Sequence, residues 1–142
     1  IRTLLVTGGS DKWSAKAELL LMYAARADHW EKRIRPALEQ GYWVVCDRFA
    51  DSSVAYQGYG RGVDLEFLNV LYKQTIGDYQ PDKTYVFDLP PSIGLERASR
   101  RFLEASQSED RFENFDFSFH ERVYNGFLEI ARQNRERCIV ID

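Results

Sequence analysis

Thr84-Tyr85-Val86-Phe87-Asp88 is a short, continuous apolar run that ends in a charge, and Pro90-Pro91 follows almost at once. Such a run predicts a buried strand, and a helix is expected from Ser92 to about Arg101. Two other stretches have the same form, Trp43-Val44-Val45-Cys46-Asp47 before it and Cys138-Ile139-Val140-Ile141-Asp142 after it. Helical stretches separate them. One runs from Ser14, a good N-cap residue, to Gln40, with Gly41 as its C-terminal cap and Pro36 bending it or splitting off its last turn. Others run from Asp64 to Ile76, closed by Gly77, and from Asp116 to Gln133. Strands alternating with helices imply parallel crossovers, so the expected fold is an α/β layered domain. Val44–Asp47, Tyr85–Asp88 and Ile139–Asp142 should be parallel neighbours in its sheet. In such domains chemistry collects beyond the C-terminal strand ends, where Asp47, Arg48 and Asp88 fall.

With 142 residues the chain suits a single domain, 1–142, with one core. A 44% hydrophobic, 29% charged composition is that of an ordinary globular protein. The formal charge of -3 gives no general attraction to nucleic acid or to an anionic membrane, so a polyanion site must be local and built from a few aimed arginines. No apolar run approaches twenty residues and no signal peptide is seen, so no membrane partner is expected and the cytoplasm is the expected compartment. Cys46 and Cys138 sit in apolar runs and read as small buried core residues. Ile1 to Leu5 reads as the last turn of a helix and the final strand has nothing after it. The chain is therefore read as a piece of a longer protein, incomplete at both ends.

Arg48 directly follows an expected strand, where its guanidinium can fork onto phosphate or carboxylate oxygens. Asp47 beside it could hold a metal's water shell or an acceptor hydroxyl, although an internal ion pair would fit the same two residues. Ser53 and Gln57, four apart, share a helix face and together offer the donors and acceptors that read a nucleobase edge. Gly58, Gly60 and Gly62 loosen the loop that follows. Thr7-Gly8-Gly9-Ser10 is not a phosphate loop, since no Gly-Lys-Ser/Thr follows. Leu19 to Ala25 is apolar on every side, more than one buried stripe requires, so its spare face should meet another subunit or a deep layer. Arg26 lies at its edge. Arg97, Arg100, Arg101 and Arg111 surround a polar, aperiodic segment, 102–114, which reads as an arginine-bearing lid. His29 and His120 lack partners at ligand spacing, and Trp13, Trp30 and Trp43 are expected to pack.

The chain resembles the bacterial thymidylate kinase family over essentially its whole length. The resemblance is carried by Ala17-Glu18-Leu19-Leu20-Leu21-Met22-Tyr23-Ala24-Ala25-Arg26, by Asp47-Arg48-Phe49 and by Ser52-Ser53-Val54-Ala55-Tyr56-Gln57-Gly58-Tyr59-Gly60-Arg61-Gly62. Pro81-Asp82, Gly94-Leu95-Glu96-Arg97-Ala98 and Asp110-Arg111-Phe112-Glu113 extend it in the same order. It implies a parallel sheet flanked by helices, of the P-loop nucleoside-monophosphate-kinase type. The N-terminal strand, phosphate loop and first helix of that fold are missing from this chain. It further implies transfer of the ATP γ-phosphoryl group to thymidine monophosphate, with Mg2+ accompanying ATP.

By the same likeness Arg48 grips the acceptor phosphate, and Asp47 lies near the metal, reached through water, and near the transferring group. Arg26 meets a thymine carbonyl, Ser53 and Gln57 complete base readout, and Tyr56 crowds the sugar's 2′ side. Arg101 is the lid's catalytic arginine and touches the ATP phosphates, with Arg100 and Arg111 as further candidates. Met22 occupies the position where the family usually stacks an aromatic ring on the base. A homodimer through the Ser14–Gln40 helix is implied as well. Two other readings are a deoxynucleoside kinase, which shares a strand-end Asp-Arg pair, and a degenerate kinase-like interaction module.

Overall fold

A computed structural model of the chain describes residues 1–104 and 111–142, with the backbone alone for 101–104. Helix α1, Arg2–Val6, comes first. Ser14 then opens α2, Ala15–His29, its side chain accepting the Ala17 amide at 3.2 Å. The long helix expected to Gln40 is interrupted earlier than its proline. A π-helical turn, Trp30–Ile34, separates α2 from α3, Arg35–Glu39, and Pro36 lies in the first turn of α3, where a missing N–H costs no hydrogen bond. Gly41 (φ +80°) ends the segment.

Next come α4, Ala50–Ser53, a second π-helical turn, Val54–Gly60, and α5, Leu65–Thr75, capped by Asp64. Strand β1, Thr84–Phe87, leads into α6, Pro91–Glu104, longer than expected. Helix α7, Phe117–Gln133, begins where Asp116 Oδ1 takes the Phe119 amide at 2.7 Å, and β2, Cys138–Ile141, follows.

The two strands pair in parallel, Thr84 opposite Cys138 and Phe87 opposite Ile141, as the alternation of strands and helices requires. The third expected strand does not form. Residues 42–46 take no regular secondary structure, no ladder takes their backbone groups among the described residues, and Trp43 and Val45 are 97% and 98% exposed. A strand is made by its neighbour's hydrogen bonds, and an apolar run without a neighbour stays an open segment. The same exposure overturns the reading of Cys46 as a core residue and of Trp43 as a packed one, whereas Cys138 is buried.

Packing explains where the site lies. Helix α7 covers the sheet through Phe127, Ala131, Val86 and Cys138. On its other flank Phe119, Val123 and Ile130 meet Ala55 of the second π-helical turn. The approach is close: a Cβ on Gly60 would fall 2.7 Å from the Phe119 ring, and one on Gly126 would fall 2.8 Å from Tyr59. Leu19 and Tyr23 of α2 pack with Leu68 of α5 and with Val63 of the loop before it. The segment from α4 through the second π-helical turn is therefore clamped between α7 and α2.

Candidate functional site

Arg48 is the only non-glycine residue with positive φ among the described residues, at +66°. A side chain in this left-handed region costs roughly 1 kcal/mol, a strain found mostly at turns and functional sites. The turn lies between segment 42–46 and α4, and Arg48 is exposed. Its guanidinium carbon lies 4.4 Å over the Tyr56 ring, and Nε donates to Ser52 Oγ at 3.4 Å. These contacts orient the group and leave its other N–H groups open. Asp47 is exposed beside it.

Arg26 reaches the same turn from α2. Its Nη2 donates to the Phe49 carbonyl (3.2 Å) and to Ser53 Oγ (2.9 Å), while the guanidinium lies 4.5 Å from the centroid of the Tyr23 ring. Nη1 is buried with no partner among the described residues. Removal from water lowers the Arg26 pKa, and burial likewise raises that of Tyr23. A half-buried cation with a buried, unused donor is poised for an acceptor atom. Met22, one turn earlier, is half-buried on the same helix. Tyr56 stands edge-on to Phe112 at 5.7 Å and to Phe119 at 6.0 Å, so aromatic contacts set its orientation.

Gln57 is 1% exposed. Its amide donates to Glu18 Oε1 at 2.8 Å. The other Glu18 oxygen receives Arg61 Nη1 at 2.8 Å and Arg111 Nη1 at 2.6 Å. Arg111 is wholly buried and also donates to the carbonyls of Leu5, Gly9 and Ser10. With its guanidinium committed to protein acceptors, Arg111 ties the start of the α7 approach to α1 and α2, unlike a free lid arginine. Arg100 is exposed and pairs with Glu96 at 2.5 Å on its own helix, and Arg97 is exposed too. The Arg101 side chain and residues 105–110 of the expected 102–114 lid lie outside the described residues. Within that segment, 102–104 belong to α6.

Glu18, Arg61 and Arg137 carry roles that reading residues by motif did not reveal. Arg137 grips Asp51 with two bonds, 2.7 and 2.8 Å, and reaches Thr84 Oγ1 at 3.1 Å, locking α4 to the sheet. That hydrogen-bonded carboxylate raises the Arg137 pKa. Only the uncommon buried acid in an apolar helix, Glu18, offered a signal in sequence. Asp88, expected at a strand end, accepts from the Tyr124 hydroxyl at 2.7 Å.

The residues thus converge on one turn. Arg26 and Ser53 meet there, Arg48 and Asp47 are exposed beside them, and Gln57, paired with Glu18, follows one turn after Ser53. The arrangement supplies donors and acceptors for a planar polar ring beside an open guanidinium suited to an anion. No cluster of three metal-binding side chains occurs among the described residues. A single exposed carboxylate, Asp47, fits a cation that arrives with its own phosphate ligands and water shell.

A family model described as thymidylate kinase matches residues 1–142. The chain is 49% identical over 142 residues to a thymidylate kinase of Caulobacter vibrioides, covering 100% of the chain and 66% of that relative. It is 46% identical over 144 residues to one of Desulfosudis oleivorans, covering 67% of it. A crystal structure of thymidylate kinase from Ehrlichia chaffeensis superposes with a TM-score of 0.70 at 36% identity, covering 91% of this chain and 59% of that one. The chain thus spans about two thirds of the length of the curated relatives it matches.

Proposed function

The chain belongs to the thymidylate kinase family, and from that premise we propose that the protein transfers the γ-phosphoryl group of ATP to thymidine monophosphate, giving thymidine diphosphate. The observation that carries this reading is the convergence of Arg26 and Ser53 on the turn that presents Arg48 in a left-handed conformation. A half-buried arginine with a free donor suits a base carbonyl, and an exposed, oriented guanidinium suits the acceptor's phosphate.

In this reading Arg48 clamps the acceptor phosphate and Tyr56 walls the sugar. Arg26, Ser53 and Gln57 read the ring, with Met22 packing near it. Asp47 meets the water shell of Mg2+, which arrives with ATP and offsets phosphate charge. Arg101 is proposed to neutralise charge developing on the transferred group, with Arg100 next to it in chain order, and 102–114 to serve as the lid. Phosphoryl transfer asks the protein mainly for positioning and charge neutralisation, which this set supplies.

No helix among the described residues is long and apolar enough to cross a membrane. We place the activity in the cytoplasm and propose a homodimer through α2, where Leu20 is 50% exposed and Ala24 lies one turn on.

The test is kcat/KM for a panel of deoxynucleoside monophosphates with the full-length protein and Mg-ATP. Thymidine monophosphate should be the best acceptor. Preference for unphosphorylated thymidine would favour a nucleoside kinase, and no phosphorylation at all would favour an interaction module.

A further inference from the structure

The carboxamide of Gln57 is ambiguous by itself. A half-turn about its last bond exchanges an NH2 donor for a carbonyl acceptor at almost no cost in shape. Its surroundings remove the ambiguity. Glu18 Oε1, 2.8 Å from Gln57 Nε2, belongs to a group that only accepts. A flipped Gln57 would set oxygen against oxygen inside a site where Glu18 is 0% and Gln57 1% exposed. Nor can Glu18 turn aside, because Arg61 and Arg111 hold its second oxygen at 2.8 and 2.6 Å. Arg61 is anchored in turn by the Trp13 carbonyl at 2.8 Å. Among the described residues the Gln57 carbonyl oxygen accepts no hydrogen bond, so this acceptor is left for something else.

We propose that Glu18 is a specificity-positioning residue: by taking the Gln57 amide nitrogen it makes the site present a carbonyl acceptor to the bound base, selecting a ring with an N–H beside a carbonyl. The inference rests on the substrate reading above. Arg26 supplies the complementary half. Its unpartnered Nη1 is a donor, and Ser53, which Arg26 holds, stands one turn before Gln57. A donor beside an acceptor matches the O4 and N3–H edge of thymine or uracil. Cytosine offers an amino donor and a ring-nitrogen acceptor, so both contacts would be mismatched. A buried polar site that is left unpaired rejects the wrong ligand strongly.

The test uses the full-length protein with Mg-ATP and compares kcat/KM for thymidine and deoxycytidine monophosphates. Glu18→Gln lets residue 18 donate or accept, which frees Gln57 to turn over. The thymidine-to-deoxycytidine ratio should fall by about tenfold or more, partly through a gain with deoxycytidine monophosphate. The swapped pair Glu18→Gln with Gln57→Glu returns an acceptor oxygen to the base and should restore the preference. A uniform loss with both substrates, or a swap that restores nothing, would reduce Glu18 to a fold-holding residue and overturn the proposal. If Glu18→Gln alone fails to fold, the swap, which keeps a carboxylate in the cluster, carries the test. If the unaltered protein uses neither nucleotide, the substrate reading fails and NMR of the Gln57 side-chain amide judges the lock alone. Slow exchange with water that Glu18→Gln abolishes supports it, and fast exchange in the unaltered protein overturns it.

Discussion

Arg111 and Arg48 bring the same guanidinium into opposite surroundings. Arg111 is 0% exposed, and three main-chain carbonyls and the Glu18 carboxylate receive its N–H groups. Arg48 is exposed on a left-handed backbone, with one long contact to Ser52 and an aromatic face beneath it. Both were candidates for phosphate when read from sequence. The structure separates them by satisfaction: a buried cation whose every nitrogen has a protein acceptor holds the fold together, whereas one held in place with donors open is available to a ligand.

The largest expected effect breaks the buried side of this comparison. Arg111→Met should cost about 3–5 kcal/mol of stability, because it leaves Arg61 as the one cation on the buried Glu18 carboxylate and takes a donor from each of three main-chain carbonyls. Urea denaturation of the full-length protein measures it, and a loss below about 1 kcal/mol would make Arg111 as dispensable as a surface arginine. Arg48 should respond in the other currency. Arg48→Lys keeps the charge and removes the fork, so kcat/KM for the acceptor should drop by the equivalent of roughly 1.5–3 kcal/mol while the unfolding midpoint stays put.

Arg48→Gly sharpens the contrast further. It should raise stability by about 1 kcal/mol, since glycine takes φ near +66° without penalty, and yet abolish acceptor use. A destabilised glycine variant would mean that the aromatic contact outweighs the backbone strain. The smallest effect belongs to Arg100. Its pair with Glu96 is exposed on one helix, so Arg100→Ala should change stability by no more than about 0.5 kcal/mol. If turnover falls severalfold in that variant, Arg100 belongs to the lid after all.

Local patterns carried much of the architecture. Ser14, Asp64 and Asp116 cap helices because their side-chain oxygens meet orphan amides within the same turn, and Gly41 and Gly77 take the left-handed conformation that ends one. Each of these is settled within four residues of chain, so sequence alone determines it. The parallel pairing of Thr84–Phe87 with Cys138–Ile141 was legible too, since two apolar runs joined through helices have few other ways to meet.

What the sequence could not determine was decided across distance. Trp43 to Cys46 has the composition of a strand, but a ladder needs a second backbone at hydrogen-bond range, and composition cannot supply one. Ser53 and Gln57 were visible as polar residues on one face, yet which end of the Gln57 amide is free depends on Glu18, 39 positions away. Arg111 was visible as a charge, but its burial depends on carbonyls about a hundred positions earlier. The sequence by itself determined which side chains could donate, accept or cap. Only the tertiary structure decided which donors and acceptors were already used, because hydrogen bonds between buried groups are chosen by proximity in space.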